Sequence, residues 1–324
     1  MKAVVCERLG PPETLVIKEL DPPTAAAGEV VISVKAAALN FFDTLIIEGK
    51  YQYRPDCPFS PGAEIAGIIK SAGPDVTELA KGDRVMAYLG WGGARQEVVV
   101  PVDRVVKLPD GVTDEAAAGL TVTYGTTIYA LKDRAALQPG ETLAVLGASG
   151  GVGQAAIEIG KIMGARVIAC ASSEEKLEFC RELGADDTIN YAETDLKTAL
   201  KEATGGKGVD VVYDPVGGPL AEQALRATGW NGRFLVIGFA SGNIPKLPLN
   251  LVLLKGCQVV GVFWGDHTQR EPDKHRANMA TLLDWCRSGK IKPYIYKTYA
   301  LEETVDALQD LAERRVKGKT IIVP

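Results

Sequence analysis

The sequence predicts an α/β protein in two parts: a small β-rich part and a parallel sheet covered by helices. Two observations carry this. Between residues 122 and 265, strand-like runs that are apolar on both faces alternate with helix-like runs, the pattern of a parallel sheet sheltered on each side by helices. Within residues 1–121, short β-branched runs follow one another with Pro-Pro, Gly-Pro and Lys-Gly-Asp turns between them, which suits a small barrel or sandwich.

The elements follow in order. Strand runs are expected at 2–7, 14–20, 29–39, 64–73, 83–89 and 94–109. Near Asp114 the texture turns helical, with Asp114 and Glu115 suited to a first helical turn. A buried strand then enters a glycine-rich turn at 147–153, and helices and strands alternate as far as a last strand over 257–264. A helix over 275–289, a β-like run over 292–301, a second helix over 302–315 and a closing strand from Lys319 complete the chain. This tail has no alternation of its own, so residues 266–324 are expected to rejoin residues 1–121, leaving 122–265 as the parallel-sheet part.

Composition narrows the functional classes. The 324 residues are 46% apolar and 24% charged, the balance of a soluble globular protein. The net charge of −5 disfavours a nucleic-acid surface, which needs a basic face. The longest uncharged stretches, such as Ala116–Leu131, are shorter than the roughly 20 residues a membrane span needs. The apolar run Ala3–Cys6 is shorter than a secretory signal requires. Six scattered cysteines without a C-x-x-C pair argue against zinc ribbons and disulfide frameworks, and a reduced cytoplasmic location is the expectation. Two histidines, His267 and His275, leave little room for a histidine-based metal site.

The strongest signal is the turn Ala148-Ser149-Gly150-Gly151-Val152-Gly153, between a strand and a helix inside a βαβ unit. Glycine permits the tight turn and the close approach of a pyrophosphate, which the free N–H groups and dipole of the helix then hold. Ser149, Gly150, Gly151, Val152 and Gly153 are therefore candidate dinucleotide contacts. The same residues also match the G-x-S-x-G elbow of serine hydrolases, with His267 late enough to complete a triad. The second strand ends Ala171-Ser172-Ser173, without the acid that bonds a ribose 2′-hydroxyl in NAD sites. Ser172, Ser173 and Lys176 suit a 2′-phosphate instead, so the expected cofactor is NADPH. Ser172 and Ser173 can equally cap the following helix. Tyr191, at the end of the next strand, can cover the adenosine or simply pack at the sheet edge.

With this turn in view, the chain resembles the medium-chain dehydrogenase/reductase superfamily, in its zinc-free NADPH:quinone oxidoreductase branch, which includes zeta-crystallin. The markers are Ala38-Leu39-Asn40 with Asp43, Pro61-Gly62-Ala63-Glu64 with Ala66-Gly67, Lys81-Gly82-Asp83-Arg84-Val85, Val122-Thr123-Tyr124-Gly125-Thr126, the glycine turn, and Gly318-Lys319. The resemblance implies a GroES-like barrel for 1–121 and 266–324, a Rossmann domain for 122–265, and an active site in the cleft between them. Zinc members carry Gly-His-Glu where this chain has Gly62-Ala63-Glu64, and the cysteine ligands are missing near Asn40 and over Gly119–Gly125. No metal site is expected.

Without a metal to polarise a carbonyl, hydrogen bonds must stabilise the developing oxyanion. That favours acceptors that are easily reduced: quinones, enones, and as an alternative enoyl thioesters. The resemblance makes Asn40 the leading donor, to substrate or nicotinamide, with a turn-forming role as the alternative. Tyr51 resembles the family tyrosine near the nicotinamide. Asp43 can accept from the ribose, fix Asn40 or cap a helix. Thr123 and Thr126 are expected to open the helix entering the Rossmann domain and to face the nicotinamide, Thr123 as a catalytic and Thr126 as a cofactor-binding candidate, with local backbone hydrogen bonding as the alternative. The later strand tips, Gly238-Phe239-Ala240 and Phe263-Trp264-Gly265, should flank the nicotinamide, with a place in the core as the alternative for Phe239, Phe263 and Trp264. Lys319 resembles a family position near the cofactor or is solvated.

The resemblance also implies a homodimer, paired through the last strand of the Rossmann sheet, whose apolar edge would otherwise be a liability. An enoyl-thioester reductase would need a basic groove, for which Arg270, Lys274, His275 and Arg276 are the candidates. A different class is a non-enzymatic NADPH- or RNA-binding protein, the RNA option being disfavoured by the charge.

Overall fold

A computed structural model describes all 324 residues and divides into two compact units, Met1–Val122 with Leu283–Pro324, and Thr123–Leu282. The division falls later than the expected 265/266. The reason lies in the helix Pro272–Arg287, whose first half packs within the second unit. There Asn278 bonds both Lys132 and Asp133 at 2.8 Å, and Met279 lies against Gly125.

In the first unit the 11-residue strand Glu29–Leu39 is the organiser. It pairs antiparallel with Glu64–Ala72, with Glu97–Pro101 and with Lys319–Val323. Arg84–Tyr88 and Val105–Lys107 extend one side of this sheet, and Ile295–Ala300 joins Lys319–Val323 on the other. Alternation along the long strand sends Val30, Ile32 and Val34 into a core with Leu39, Ile65, Ile69 and Val85. A separate hairpin pairs Lys2–Val5 with Val16–Glu19. One helix was not anticipated: Phe41–Ile47, which follows Asn40 directly. Its Asn40-x-x-Asp43 start is a capping pattern, and Asp43 Oδ2 accepts the backbone N–H of Asn40 at 2.7 Å.

The second unit holds six parallel strands: Thr142–Leu146, Arg166–Ala171, Asp187–Asn190, Val209–Asp214, Thr228–Val236 and Gln258–Gly261. Their spatial order is third, second, first, fourth, fifth, sixth, the doubly wound arrangement with a switch point beside the first strand. Val209, Val212, Phe234 and Leu225 are buried between this sheet and its helices.

Two placements differ from the sequence reading. The last strand ends at Gly261, not Trp264, and Trp264 opens a helix that runs to Arg270. The Trp264 indole is buried, so close to Gly125 that a Cβ there would lie 2.8 Å from it. That packing turns the chain out of the sheet. Thr123 and Thr126 do not open a helix either, because their helix already runs from Asp114 to Ile128.

Candidate active site

In the first unit, a buried polar network joins Asn40, Glu64 and Lys319. Asn40 ends the long strand, Glu64 begins the strand paired with it, and Lys319 begins the adjacent strand. Adjacent pairing in one sheet thus brings together residues up to 279 apart in sequence. Glu64 Oε1 accepts from Asn40 Nδ2 at 2.9 Å and from Lys319 Nζ at 2.7 Å. Its Oε2 accepts from the Val122 backbone N–H at 2.6 Å. Lys319 Nζ also donates to Asn40 Oδ1 at 2.7 Å. The Lys319 side chain is 2% exposed and that of Glu64 is fully buried, so this is an ion pair without bulk water. Its stem crosses Gly119, where a Cβ would stand 3.2 Å from Lys319 Cγ. Losing one partner from such a pair typically costs about 3–5 kcal/mol.

The network fixes the Asn40 amide. Its oxygen faces an ammonium and one N–H faces a carboxylate, so the orientation is determined and the second N–H is uncommitted. Asn40 is therefore more than a turn-former. Asp43 stands beside it with Oδ1 accepting from the Gly62 N–H at 2.9 Å. Both Asp43 oxygens are thus bound to backbone, which is the capping and fixing role. Burial pushes its carboxyl up to about 7, opposed by the two N–H donors and Lys319. Tyr51 stacks on Phe42 at 5.2 Å and meets Tyr53 edge-on at 5.8 Å. Burial, with Tyr53 and Asp43 adding to it, pushes the Tyr51 phenol up to about 12. Lys319 is not solvated: its ammonium is buried and committed to Glu64 and Asn40. Nowhere do three or more His, Cys, Asp or Glu side chains cluster as metal ligands would.

In the second unit, the first strand ends at Leu146 and the helix Gly151–Ile162 begins after the turn. Gly147 has φ +57°, a left-handed conformation that glycine adopts without strain. A Cβ on Gly153 would lie 2.5 Å from Gly147 O, so only glycine lets the helix start this close to the strand. No side chain caps this helix, its Ncap is Gly150, and its first turn carries no acid. Its first N–H groups thus point to a place that an anion fits. Gly150, Gly151, Val152 and Gly153 all belong to this start, with Ser149 in the turn before it. His267 is stacked on Tyr129 at 3.9 Å and its Nδ1 pairs with Glu271 at 3.0 Å. No hydrogen bond joins it to Ser149, so the hydrolase triad is not assembled.

Beyond the second strand, Ser173 is the Ncap of Glu174–Glu182 and accepts from the Lys176 N–H at 3.4 Å. Ser172 is exposed and Lys176 half-buried at the same helix start. Glu174 turns away to Arg181 at 2.6 Å. Tyr191 follows the third strand, its N–H bonded to Ala171 O at 3.1 Å, and packs on the core.

The fourth and fifth strand tips are tied by a residue that sequence reasoning missed. Asp214 is buried and its Oδ1 accepts the N–H groups of Val216 and Gly217 at 2.9 Å each. Its backbone oxygen receives Ile237 and Gly238, and Ala240 N–H reaches Pro215 O. Gly238, Phe239 and Ala240 are held beside this turn. The signal was present as Asp-Pro-x-Gly, an aspartate-led turn. Phe263 is 46% exposed, whereas Trp264 and Gly265 are buried. Trp264 is a core residue packed on Gly125 and edge-on to His275. Thr123 is buried. Thr126 is half-buried, and it is Thr127 whose hydroxyl reaches Val152 O (3.4 Å) and the Tyr213 hydroxyl (2.9 Å).

Comparison with known proteins adds the family. The chain is 38% identical over 325 residues to the Quinone oxidoreductase-like protein 2 homolog of Nematostella vectensis, covering 99% of this chain and 88% of that protein. The chain belongs to the quinone oxidoreductase branch of the medium-chain dehydrogenase/reductase superfamily. Residues 26–110 match the alcohol dehydrogenase GroES-like domain, and residues 151–285 match the zinc-binding dehydrogenase family. Identity to the quinone oxidoreductase of Pseudomonas aeruginosa is 34%, over 97% of both chains. The crystal structure of Escherichia coli quinone oxidoreductase complexed with NADPH superposes with a TM-score of 0.93, at 29% identity and full coverage of both chains. In this branch member, alanine at position 63 and the Lys319 ammonium against Glu64 distinguish the site from one built around a histidine-ligated metal.

Asp43 gives a pH prediction. Its folded-state value of about 7 lies above the ordinary 3.8, so between these values the folded state binds more protons. Stability must therefore fall as pH rises towards 7. Urea unfolding should show wild type losing about 3 kcal/mol from pH 5 to 8 relative to Asp43→Asn. Parallel profiles would mean that Asp43 is ionised throughout.

Proposed function

We propose that this protein reduces quinones and α,β-unsaturated carbonyls with NADPH, without zinc. The observation that carries the reading is the Asn40 amide clamped between Glu64 and Lys319. A preorganised N–H donor stabilises charge that develops on an acceptor oxygen, and it does so without reorienting during the reaction. Lys319 beside Oδ1 polarises the amide and strengthens its remaining N–H as a donor. Tyr51, kept protonated at neutral pH, offers a second O–H donor. When bound, the nicotinamide supplies the hydride.

The helix start at Gly150–Gly153 would hold the pyrophosphate. Ser172, Ser173 and Lys176 would receive the 2′-phosphate; of the two acids in the first turn of this helix, Glu174 and Glu175, the first is paired with Arg181. The NADPH complex of the Escherichia coli relative supports this choice. The strand tips at Gly238–Ala240 and the exposed Phe263 would line the nicotinamide end, with Trp264 and Gly265 as support. A long phosphate-bearing thioester is less well served. Arg270, Lys274 and Arg276 pair with Asp266, Glu271 and Asp273 respectively, so the suspected basic groove is neutralised.

We infer also that two copies pair through the strand Gln258–Gly261. It is the last of its sheet, and Trp230, Leu249, Leu253 and Leu254 of the same unit are 71–80% exposed. Such a cluster is unusual on a solitary protein.

Three measurements test these readings. An acceptor panel should show NADPH oxidation with quinones and enones, and Asn40→Ala should lower kcat/KM by about 100-fold, the scale of one oxyanion donor. Absence of turnover with every acceptor would overturn the reading. Lys176→Glu should raise KM for NADPH at least about tenfold while leaving NADH nearly unchanged, a like-charge effect. Light scattering should report a dimer that Val259→Lys with Leu253→Glu converts to monomer; both side chains are exposed, whereas Val260 points inward.

A further inference from the structure

The first unit contains a feature that the proposed reduction does not use. A hollow of about 500 Å3 lies between the loop following Tyr53 and the segment Trp91–Arg95. Two guanidiniums, Arg54 and Arg95, line it, with Phe59 and Trp91 as apolar walls and Asp56 also on its lining. Arg95 is half-buried and its one side-chain partner is the Ser60 hydroxyl, 2.9 Å from Nη2. Its Nε is buried without any acceptor. Arg54 makes only a long 3.4 Å contact to the Tyr51 carbonyl. Neither forms an ion pair, with Asp56 or with any other carboxylate.

A guanidinium withdrawn from water and left without a counter-ion is costly, and burial lowers the Arg95 pKa accordingly. An anion entering the hollow would relieve that cost through charge-assisted hydrogen bonds, for which a planar carboxylate is the matching shape. The rest of the lining sets the remainder of the ligand. Phe59 is 5% exposed and Trp91 is 39% exposed, its ring centroid 6.5 Å from that of Tyr53. The Trp91 indole therefore presents an aromatic surface at the side of a cationic pocket, and the volume lies in the range of small-molecule sites.

We propose that this hollow is a binding site for planar aromatic carboxylates, with Arg95 as the anion anchor and Trp91 as the stacking wall. The site lies wholly within the first unit and needs no dinucleotide, so it stands or falls independently of the reductase reading.

Titration calorimetry without dinucleotide tests it, using 2-naphthoate and the uncharged 2-naphthol as probes. Wild type should bind naphthoate saturably and at least tenfold more tightly than naphthol. Arg95→Gln, which removes the charge, should weaken naphthoate at least tenfold and leave naphthol unchanged. Arg95→Lys should recover part of the loss, and Trp91→Ala should weaken both probes. Thermal melting of each variant checks that the fold persists. If Arg95→Gln is unfolded, the test passes to wild type with Arg95→Lys and Trp91→Ala. No saturable naphthoate binding by wild type, equal binding of the two probes, or wild-type affinity in both Arg95 variants would overturn the proposal.

Discussion

The carboxylate of Glu64 is a full negative charge in a place that water does not reach, and much of the first unit is arranged to satisfy it. Three donors converge on it: a side-chain amide, an ammonium and a backbone N–H. Each comes from a different element, so the charge fastens two adjacent strands and the helix Asp114–Ile128 to the end of the Glu64 strand. The same bonds leave the Asn40 amide no freedom to rotate. A group whose stabilising partners also define its orientation is well suited to meet a developing oxyanion, since little reorganisation remains to be done. The ammonium of Lys319 has a second effect. It donates to the Asn40 oxygen as well as to Glu64, so one side chain holds both members of the network.

The second unit uses backbone rather than charge. Its binding turn depends on the absence of side chains, at Gly147 for conformation and at Gly153 for space. Asp214 performs for the fourth and fifth strand tips what Glu64 does in the first unit: a buried carboxylate gathers N–H groups that would otherwise lack acceptors. The short stretch from Ser172 to Lys176, where a capping serine and a lysine share one helix start, lies outside this glycine turn, so the proposed phosphate anchor and the proposed 2′-phosphate contacts are separate in the sequence.

Most of the second unit was legible in the sequence because its signals are local. Apolar strands, glycine turns and helix caps each extend over a few residues, and their alternation implies a parallel sheet covered by helices. The boundary at Trp264 was misread because an apolar aromatic run looks like strand until one knows that Gly125 leaves room for an indole. The helical texture from Asp114 was legible, but Thr123 and Thr126 fall inside that helix, which runs unbroken to Ile128, and not at the start of another. In the first unit, Asn40, Asp43, Glu64 and Lys319 could each be named from the family resemblance. Their mutual bonding could not, because it depends on strand pairing between segments as many as 279 residues apart. Asp214 was overlooked although its turn signal was local, since a lone aspartate before proline does not announce burial.

The order of synthesis gives Lys319 one more significance. When the ribosome has made Asn40 and Glu64, their partner lies more than 250 residues ahead, and the whole segment Thr123–Leu282 emerges first. The nascent first unit therefore has the Asn40 and Val122 donors for Glu64 but not its ammonium partner while the intervening unit folds on its own contacts. Completion of the Asn40–Glu64–Lys319 network comes only as the returning strand delivers its lysine.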